Sequence, residues 1–184
     1  MKVLGAILAG GASRRFGSDK AEAMLDGRKL IDHVADTLRR DCDALVICGR
    51  THSQIRHLDD RPAAGLGPLG GLCAALTHGR DTGFDAVLSA PCDTPGLPHD
   101  LLAILSLAGP ASYAADHPVI GLWSCALADR LQAHLAQSAD RSMRAWARVA
   151  GAAPVPVAGI FNINTPEDLA GAGRIEAVGN PPEA

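Results

Sequence analysis

The segment Val3–Lys20, with the sequence VLGAILAGGASRRFGSDK, sets the organisation of the whole chain. It opens with a largely aliphatic run, residues 3–8, which predicts a buried β-strand. Two glycines, Gly10 and Gly11, follow this run and let the backbone turn sharply. Because glycine has no Cβ, a ligand can also approach the amide groups of such a turn closely. The segment therefore predicts a first strand that ends in a ligand-accessible loop.

The loop carries the cations Arg14, Arg15 and Lys20, which point to phosphate as its ligand. Arginine offers phosphate oxygens a planar fork of donors, and lysine offers a point charge. Glycine amides and cations directly after a first strand are typical of a nucleoside triphosphate site. On these residues alone, a plain turn flanked by solvated arginines is an equally good interpretation.

Two common phosphate-binding loops do not fit this segment. The P-loop requires G-x-x-x-x-G-K-[ST], but the spacing from Gly11 to Gly17 is wrong and Ser18 follows the second glycine. The dinucleotide fingerprint requires G-x-G-x-x-G, which the residues from Gly10 onward do not supply. A dehydrogenase is therefore a poor interpretation of the chain.

Composition limits the classes of protein that the chain can belong to. It has 184 residues, of which 47% are hydrophobic and 20% charged, as expected of a globular protein. We expect a single domain over residues 1–173 and a loose tail over residues 174–184. Aromatic residues make up 3% and the net charge is −3, so we expect no nucleic-acid partner. No apolar run approaches the roughly 18 residues of a membrane span, so no membrane partner is expected either.

The five cysteines favour a reducing compartment. They form no C-x-x-C pair and their number is odd, so we expect free thiols rather than a zinc site or a disulfide framework. Lys2 and the apolar run after it imitate a secretory signal, but Arg14 and Arg15 follow at once. We interpret the run as the first strand and expect the protein in the cytoplasm.

Predicted strands alternate with predicted helices in the first part of the chain. Apolar runs predict strands over residues 44–48 and 85–90, and helical spacing predicts helices over residues 30–40, 72–78 and 98–107. This alternation is typical of a three-layer α/β/α, Rossmann-like fold with a mostly parallel central sheet. Ligands of such sheets bind beyond the carboxyl ends of the strands. We therefore expect the loops that follow the strands to meet at one edge.

The second half of the chain has a weaker pattern. The two prolines of its last predicted strand confine that strand to an edge of the sheet. Thr165 followed by Pro166 is typical of the start of a helix. The other expected elements are strands over residues 111–114 and 119–123, helices over residues 127–135 and 142–149, and the edge strand over residues 153–157.

Asp93 is the sharpest candidate for chemistry. It follows the predicted strand over residues 85–90, inside the turn Pro91–Pro95, at the edge where the glycine loop and Asp60 are also expected. A carboxylate in this place can hold Mg²⁺, which takes oxygen ligands and bridges substrate phosphates. From the local sequence alone, an Asx-turn in which Asp93 caps its own backbone is the favoured interpretation.

Several motifs resemble one family of enzymes. Residues 8–20 match L-x-G-G-x-S-x-R-x-G-x-x-K, which resembles the signature loop of nucleotidyltransferases that use a nucleoside triphosphate. The Leu8–Gly11 form is similar to that of the molybdenum cofactor guanylyltransferases in particular. Further motifs in the family's order extend the resemblance over most of the chain: residues 27–36, GPLGG at 67–71, PCDTP at 91–95 and NINTPEDL at 162–169.

The resemblance implies a role for each matched residue. Asp93 would carry Mg²⁺, which reverses the Asx-turn preference, while Lys20 and Arg15 would contact the phosphates of GTP. The family often has asparagine where this chain has Cys48, and a thiol cannot make the paired hydrogen bonds of an amide. The strictness of preference for GTP over CTP therefore stays open. The nucleotide contacts would come from Leu8, Ala9, Gly10, Gly11, Lys20, Cys48, Asp60 and Asp93.

The pterin side of the site has weaker candidates. Asn162 and Asn164 could line it, although turn and cap chemistry explains them equally well. Arg141 and Arg144 could also line it, but a solvated helix face is the better interpretation of both.

The resemblance also implies a reaction and its partners. GMP would pass from GTP to the terminal phosphate of molybdopterin, the molybdenum cofactor, giving the guanine dinucleotide cofactor and pyrophosphate. We expect a monomer whose partners are GTP, molybdopterin and, transiently, molybdoenzymes or cofactor carriers. Two alternatives stay open: a related CTP or sugar-phosphate nucleotidyltransferase, and a GTP-binding module without catalysis.

Overall fold

The first strand is buried along its whole length in the computed structural model, which describes residues 1–10, 23–163 and 168. The strands are β1 (Val3–Leu8), β2 (Met24–Leu25), β3 (Arg28–Lys29), β4 (Ala44–Cys48), β5 (Arg56–Leu58), β6 (Ala86–Pro91), β7 (Ala111–Ala114), β8 (His117–Ser124) and β9 (Ala153–Val155). The helices are α1 (Leu30–Asp41), α2 (Pro68–Asp81), α3 (Leu101–Leu107), α4 (Ala128–Gln137) and α5 (Met143–Ala150).

β1 lies in the middle of a seven-stranded sheet with the order β5-β4-β1-β6-β8-β7-β9. It pairs in parallel with β4 on one side and with β6 on the other, and β5 continues the parallel arrangement beyond β4. β8 runs antiparallel to both of its neighbours, while β9 runs parallel to β7. The predicted mostly parallel sheet is therefore confirmed, as is the edge position of β9.

Helices cover both faces of this sheet. Alternate side chains of β1 point to opposite faces, so Leu4 and Ala6 pack against α2 while Val3 and Ile7 pack against α1. The face that carries α2 also carries α4 and α5, and α3 lies on the α1 face. The result is the predicted three-layer α/β/α arrangement. Within the described residues, no helix is long and apolar enough to cross a bilayer.

Two predicted helices begin elsewhere than expected. α2 starts at Pro68 rather than at residue 72, because proline suits the first helical position and residues 69–71 are buried in the first turn. α3 starts at Leu101 rather than at residue 98, and the carbonyl of Pro98 accepts a hydrogen bond from the Leu101 amide (3.2 Å). In both cases, composition alone did not separate the loop from the first helical turn.

The pairing of β6 with β8 contains a buried polar bridge. Ser89 is completely buried, and its hydroxyl donates to the carbonyl of Val119 at 2.7 Å. The same hydroxyl oxygen accepts a hydrogen bond from the indole N–H of Trp123 at 3.0 Å. Trp123 is also fully buried and packs against Trp146 of α5, with ring centroids 6.3 Å apart. Ser89 therefore satisfies the single polar side-chain atom of the fully buried Trp123.

We predict that the substitution Ser89→Ala destabilises the fold. It leaves the Trp123 indole N–H buried without its acceptor, which is expected to lower the free energy of unfolding by about 1–3 kcal/mol. Urea denaturation followed by tryptophan fluorescence measures this change. The matched control is Ser106→Ala, which removes an exposed hydroxyl bonded within α3, and it is expected to change the free energy by less than about 0.5 kcal/mol. Equal effects of the two substitutions would contradict the prediction.

Candidate functional site

Four parallel strands end at the same level of the sheet. In the ladder register, Leu8 of β1 is opposite both Cys48 of β4 and Pro91 of β6. Cys48 is in turn opposite Leu58, the last residue of β5. The loops that follow these residues therefore leave the sheet from one edge. This is the edge at which parallel α/β sheets bind their ligands, and it brings together three of the loops singled out from the sequence.

The loop after β1 is held tightly against the loop after β4. The amide of Ala9 donates to the carbonyl of Cys48 at 2.9 Å. Gly49 has a φ of +86°, and a Cβ added there would lie 2.4 Å from the Cα of Gly10. Glycine is thus required at position 49 both by the backbone conformation and by the close approach of the two chains. Of the remaining predicted loop residues, Gly11, Arg14, Arg15 and Lys20 lie outside the described residues.

Asp60 lies against the first turn of α2. A Cβ added to Gly70 would lie 3.1 Å from the carboxyl group of Asp60, and one added to Gly71 would lie 3.7 Å from it. Burial raises the pKa of Asp60 above its usual value, and a hydrogen bond from the amide of Gly65 opposes that shift. The side chain is partly exposed. Asp60 is therefore a desolvated acceptor beside a helix N-terminus and next to the end of β5.

Cys48 is buried beneath α2 and does not face the rim. It is 1% exposed, and its thiol donates to the carbonyl of Gly71 at a sulfur–oxygen distance of 3.3 Å. Burial, followed by the nearby charge of Asp60, raises the pKa of this thiol to about 12. The side chain therefore stays a neutral thiol near neutral pH and is engaged with the protein. An influence of Cys48 on a bound base would have to act through the backbone of Gly71.

The loop after β6 joins the same rim. The amide of Cys92 donates to the carbonyl of Leu8 at 3.4 Å, which ties this loop to the end of β1. Asp93, the next residue, is half-buried, and its carbonyl accepts a hydrogen bond from the amide of Ile163 at 2.9 Å. Its position beside the end of β1 is the one expected from the sequence.

A short segment near the C-terminus lies along the Asp93 loop. Besides the bond between Asp93 and Ile163, an antiparallel bridge joins Gly96 to Phe161. Ile163 is fully buried and packs with Leu25 of β2 and with Leu30 at the start of α1. Asn164 and the residues up to 167 lie outside the described part of the chain. The described part of the motif is thus anchored beside the candidate metal ligand.

Thr94 and His117 are two polar residues at this junction that the sequence did not single out. The Thr94 hydroxyl is 2.6 Å from Oδ1 of Asn162, and Nδ2 of Asn162 is 3.4 Å from Nδ1 of His117. These contacts link positions 68 and 45 residues apart in the chain, and no local spacing signals such contacts. Both ends of the Asn162 amide therefore have protein partners. Arg141 and Arg144, the other pterin-side candidates, are exposed.

The rim carries a carboxylate of the kind that can hold a divalent cation shared with a substrate. Mg²⁺ keeps several waters and is commonly held by one or two carboxylates together with substrate phosphates. Asp93 supplies one such carboxylate at the carboxyl edge of the sheet. Among the described residues, no group of three or more His, Cys, Asp or Glu side chains is arranged to hold a metal ion. Asp93 is a described residue at this rim that could hold such a cation together with a phosphate ligand.

Comparison with known proteins agrees with this arrangement. Residues 5–154 match the family model of the MobA-like NTP transferase domain. The chain is 40% identical to a molybdenum cofactor guanylyltransferase from Rhodobacter capsulatus, with 92% of this chain and 94% of that relative covered. It is 39% identical to one from Cereibacter sphaeroides, with coverages of 92% and 95%.

Solved structures give the same result. The crystal structure of molybdopterin-guanine dinucleotide biosynthesis protein A from Archaeoglobus fulgidus matches with a TM-score of 0.75 and 28% identity. The match covers 97% of this chain and 100% of that one. The resemblance seen in the sequence motifs is thereby confirmed. The chain belongs to the MobA-like NTP transferase family, in which it matches the molybdenum cofactor guanylyltransferases over most of its length.

Proposed function

We propose that the protein transfers GMP from GTP to the terminal phosphate of the molybdenum cofactor. The products are the guanine dinucleotide form of the cofactor and pyrophosphate. The observation that carries this proposal is the convergence of the loops after β1, β5 and β6 at one edge of the sheet, in a chain that matches named guanylyltransferases over nearly its full length.

The reaction needs no covalent intermediate on the protein. A phosphate oxygen of the molybdenum cofactor attacks the α-phosphorus of GTP, and the bond from that phosphorus to the bridging oxygen of pyrophosphate breaks. Because both substrates are polyanions, the protein must hold them in line and offset their charges. Mg²⁺, when bound, neutralises charge on the triphosphate, and Asp93 is the residue that we assign to hold it.

The remaining roles follow from position and residue type. We assign the backbone of Leu8, Ala9 and Gly10, at the end of β1, to the nucleotide, and Gly10 adds no side chain to this edge. We propose that Lys20, Arg15 and the backbone amide of Gly11 bind the phosphates of GTP. The same groups would stabilise the departing pyrophosphate. These three assignments rest on the motif in the sequence.

Asp60 is assigned to the guanosine part of GTP. A carboxylate accepts hydrogen bonds from the N–H groups of guanine or from ribose hydroxyls, and Asp60 lies beside α2 at the same edge of the sheet. Cys48 contributes to this part of the site by holding the carbonyl of Gly71. Because the thiol is buried, we do not assign it a direct contact with the base.

We extend the proposal to the setting in which the enzyme works. All five cysteines are free thiols, which suits a reducing cytoplasm. We propose a monomer with one domain over residues 1–173, since the buried core continues to Ile163, and a tail over residues 174–184. The product would pass to molybdoenzymes or to cofactor carriers through transient contacts.

We predict that the purified protein releases pyrophosphate from GTP when molybdenum cofactor and Mg²⁺ are both present. A coupled pyrophosphate assay with GTP, CTP or ATP as donor, and with molybdenum cofactor or a sugar 1-phosphate as acceptor, measures the preference. Preferential use of CTP, or of a sugar 1-phosphate, would replace the proposal with a related nucleotidyltransferase. Binding of GTP by calorimetry without pyrophosphate release from any acceptor would identify a binding module instead.

We predict that Asp93→Ala and Lys20→Ala each lower the rate of pyrophosphate release by about 100-fold or more. Each removes one preorganised charge that acts on the triphosphate, and losses of this size are typical for such groups. The control for the first is Asp100→Ala, an exposed aspartate before α3 whose side chain makes no cap hydrogen bond. The control for the second is Lys2→Ala, at the opposite end of β1. A rate within a few-fold of wild type in either test variant would refute that assignment.

We predict that GTP affinity depends on the ionisation of Asp60. The carboxylate form accepts hydrogen bonds from GTP and is populated above the Asp60 pKa, which burial raises. Affinity should therefore fall on acidification at a higher pH than an ordinary exposed aspartate would produce. Asp60→Asn should bind GTP about tenfold more weakly at neutral pH, by the loss of charge-assisted hydrogen bonds, and should lack this part of the pH dependence.

Calorimetry over a range of pH tests this prediction. The matched control is Asp59→Asn, which alters the neighbouring aspartate, whose side chain is 97% exposed. We expect this control to retain the affinity of the wild type at neutral pH and to keep a pH dependence that is moved slightly toward lower pH, because the charge of Asp59 also raises the pKa of Asp60. Identical pH profiles for wild type and Asp60→Asn would show that Asp60 does not contact the nucleotide.

A further inference from the structure

We propose that Thr94 and His117 are positioning residues that hold the loop carrying Asp93 in place through the amide of Asn162. The inference rests on the proposed function, in which Asp93 holds a divalent cation together with GTP. It adds two residues that sit outside the motif roles assigned above. Neither is proposed to touch the substrate.

The backbone contacts restrain the Asp93 loop from one side. The hydrogen bond from the Ile163 amide to the Asp93 carbonyl and the bridge between Gly96 and Phe161 form a short antiparallel pairing. Ile163 is itself clamped in a cluster with Leu25 and Leu30. This pairing fixes the path of the main chain beside Asp93, but it does not by itself set the direction of the polar side chains.

Thr94 adds a second restraint on this loop, through its own side chain. It is fully buried, although it follows Asp93 directly in a loop. Its hydroxyl has one proton and two nearby acceptors, Oδ1 of Asn162 at 2.6 Å and Oδ1 of Asp93 at 3.3 Å. The shorter contact takes the proton, so Thr94 is tied to Asn162. A buried hydroxyl without this acceptor would raise the free energy of the folded protein. The hydrogen bond to Asn162 therefore holds the peptide between residues 93 and 94.

His117 determines which way the Asn162 amide faces. Nδ2 of Asn162 can only donate, so Nδ1 of His117, 3.4 Å away, is its acceptor in this arrangement. With Nδ2 turned to His117, Oδ1 of Asn162 is turned to Thr94. His117 is half-buried at the start of β8, which runs antiparallel beside β6. The strand next to the Asp93 loop therefore orients the amide that anchors Thr94.

Such outer partners matter for weakly held cations. Residues that orient a metal ligand typically contribute 10–100-fold to metal affinity or activity. Asp93 is the described carboxylate that we assign to the cation, so the position of its loop is expected to weigh on affinity. The chain uses contacts between three distant segments, around residues 94, 117 and 162, to hold that loop.

The test measures cation binding separately from turnover. Mn²⁺ is titrated into the full-length protein with saturating GTP, and free Mn²⁺ is followed by electron paramagnetic resonance. Thr94→Val keeps the shape of the side chain and removes its hydroxyl, and we expect about tenfold weaker Mn²⁺ binding. Thr94→Ser keeps the hydroxyl and should bind Mn²⁺ within about threefold of wild type.

A second pair of variants tests His117. His117→Leu removes the acceptor and should weaken Mn²⁺ binding several-fold. His117→Asn places an oxygen near the position of Nδ1 and should restore most of the affinity. For all four variants the rate of pyrophosphate release at saturating Mn²⁺ should stay close to that of the wild type, because these residues set the affinity for the cation rather than the chemistry.

Asp93→Ala separates failure of this inference from failure of the proposed function. If Asp93→Ala abolishes tight Mn²⁺ binding while Thr94→Val leaves it unchanged, the positioning role is wrong and the metal assignment stands. If Asp93→Ala leaves Mn²⁺ binding unchanged, both are wrong. Equal losses in Thr94→Val and Thr94→Ser, together with lowered melting temperatures, would indicate a packing role and would also overturn the inference.

Discussion

The site depends on the register of the parallel ladder around β1. Because Leu8 is opposite both Cys48 and Pro91, three neighbouring strands stop at one level, and β5 stops with them beyond β4. A shift of one residue in any of these pairings would turn that strand's buried side chains to the wrong face of the sheet. The hydrophobic packing that holds the strands in register therefore also brings the following loops together, so that fold stability and site geometry share one cause.

Close backbone contacts turn this common edge into a narrow rim. Gly49 touches Gly10 so closely that a side chain at position 49 would collide with the neighbouring backbone. Gly70 and Gly71 let the first turn of α2 approach Asp60, while the thiol of Cys48 fastens the carbonyl of Gly71 from below. These glycines thus have the same physical use, which is to let backbone and carboxylate groups of neighbouring segments approach one another without a Cβ between them.

The C-terminal segment completes the rim by a different kind of contact. It adds few residues to the described core, but Ile163 fills a pocket beside α1 and its amide holds the carbonyl of Asp93. Polar contacts from Thr94 through Asn162 to His117 then connect this segment with the strand next to β6. Residues that are far apart in the chain thus hold the loop that carries Asp93.

The sequence by itself determined the α/β class, the buried strands β1, β4 and β6, and the positions of Asp60 and Asp93 at strand ends. It could do so because hydrophobic periodicity, glycine and proline determine the backbone conformation of the residues around them. The start of α2 was misplaced because Gly70 and Gly71 suggest a loop until the neighbouring Asp60 and Cys48 are seen to require them in a helix. Only the tertiary structure decided that the Cys48 thiol is turned inward and that Thr94, Asn162 and His117 meet. Contacts between distant segments depend on how the layers pack, and no spacing along the chain encodes them.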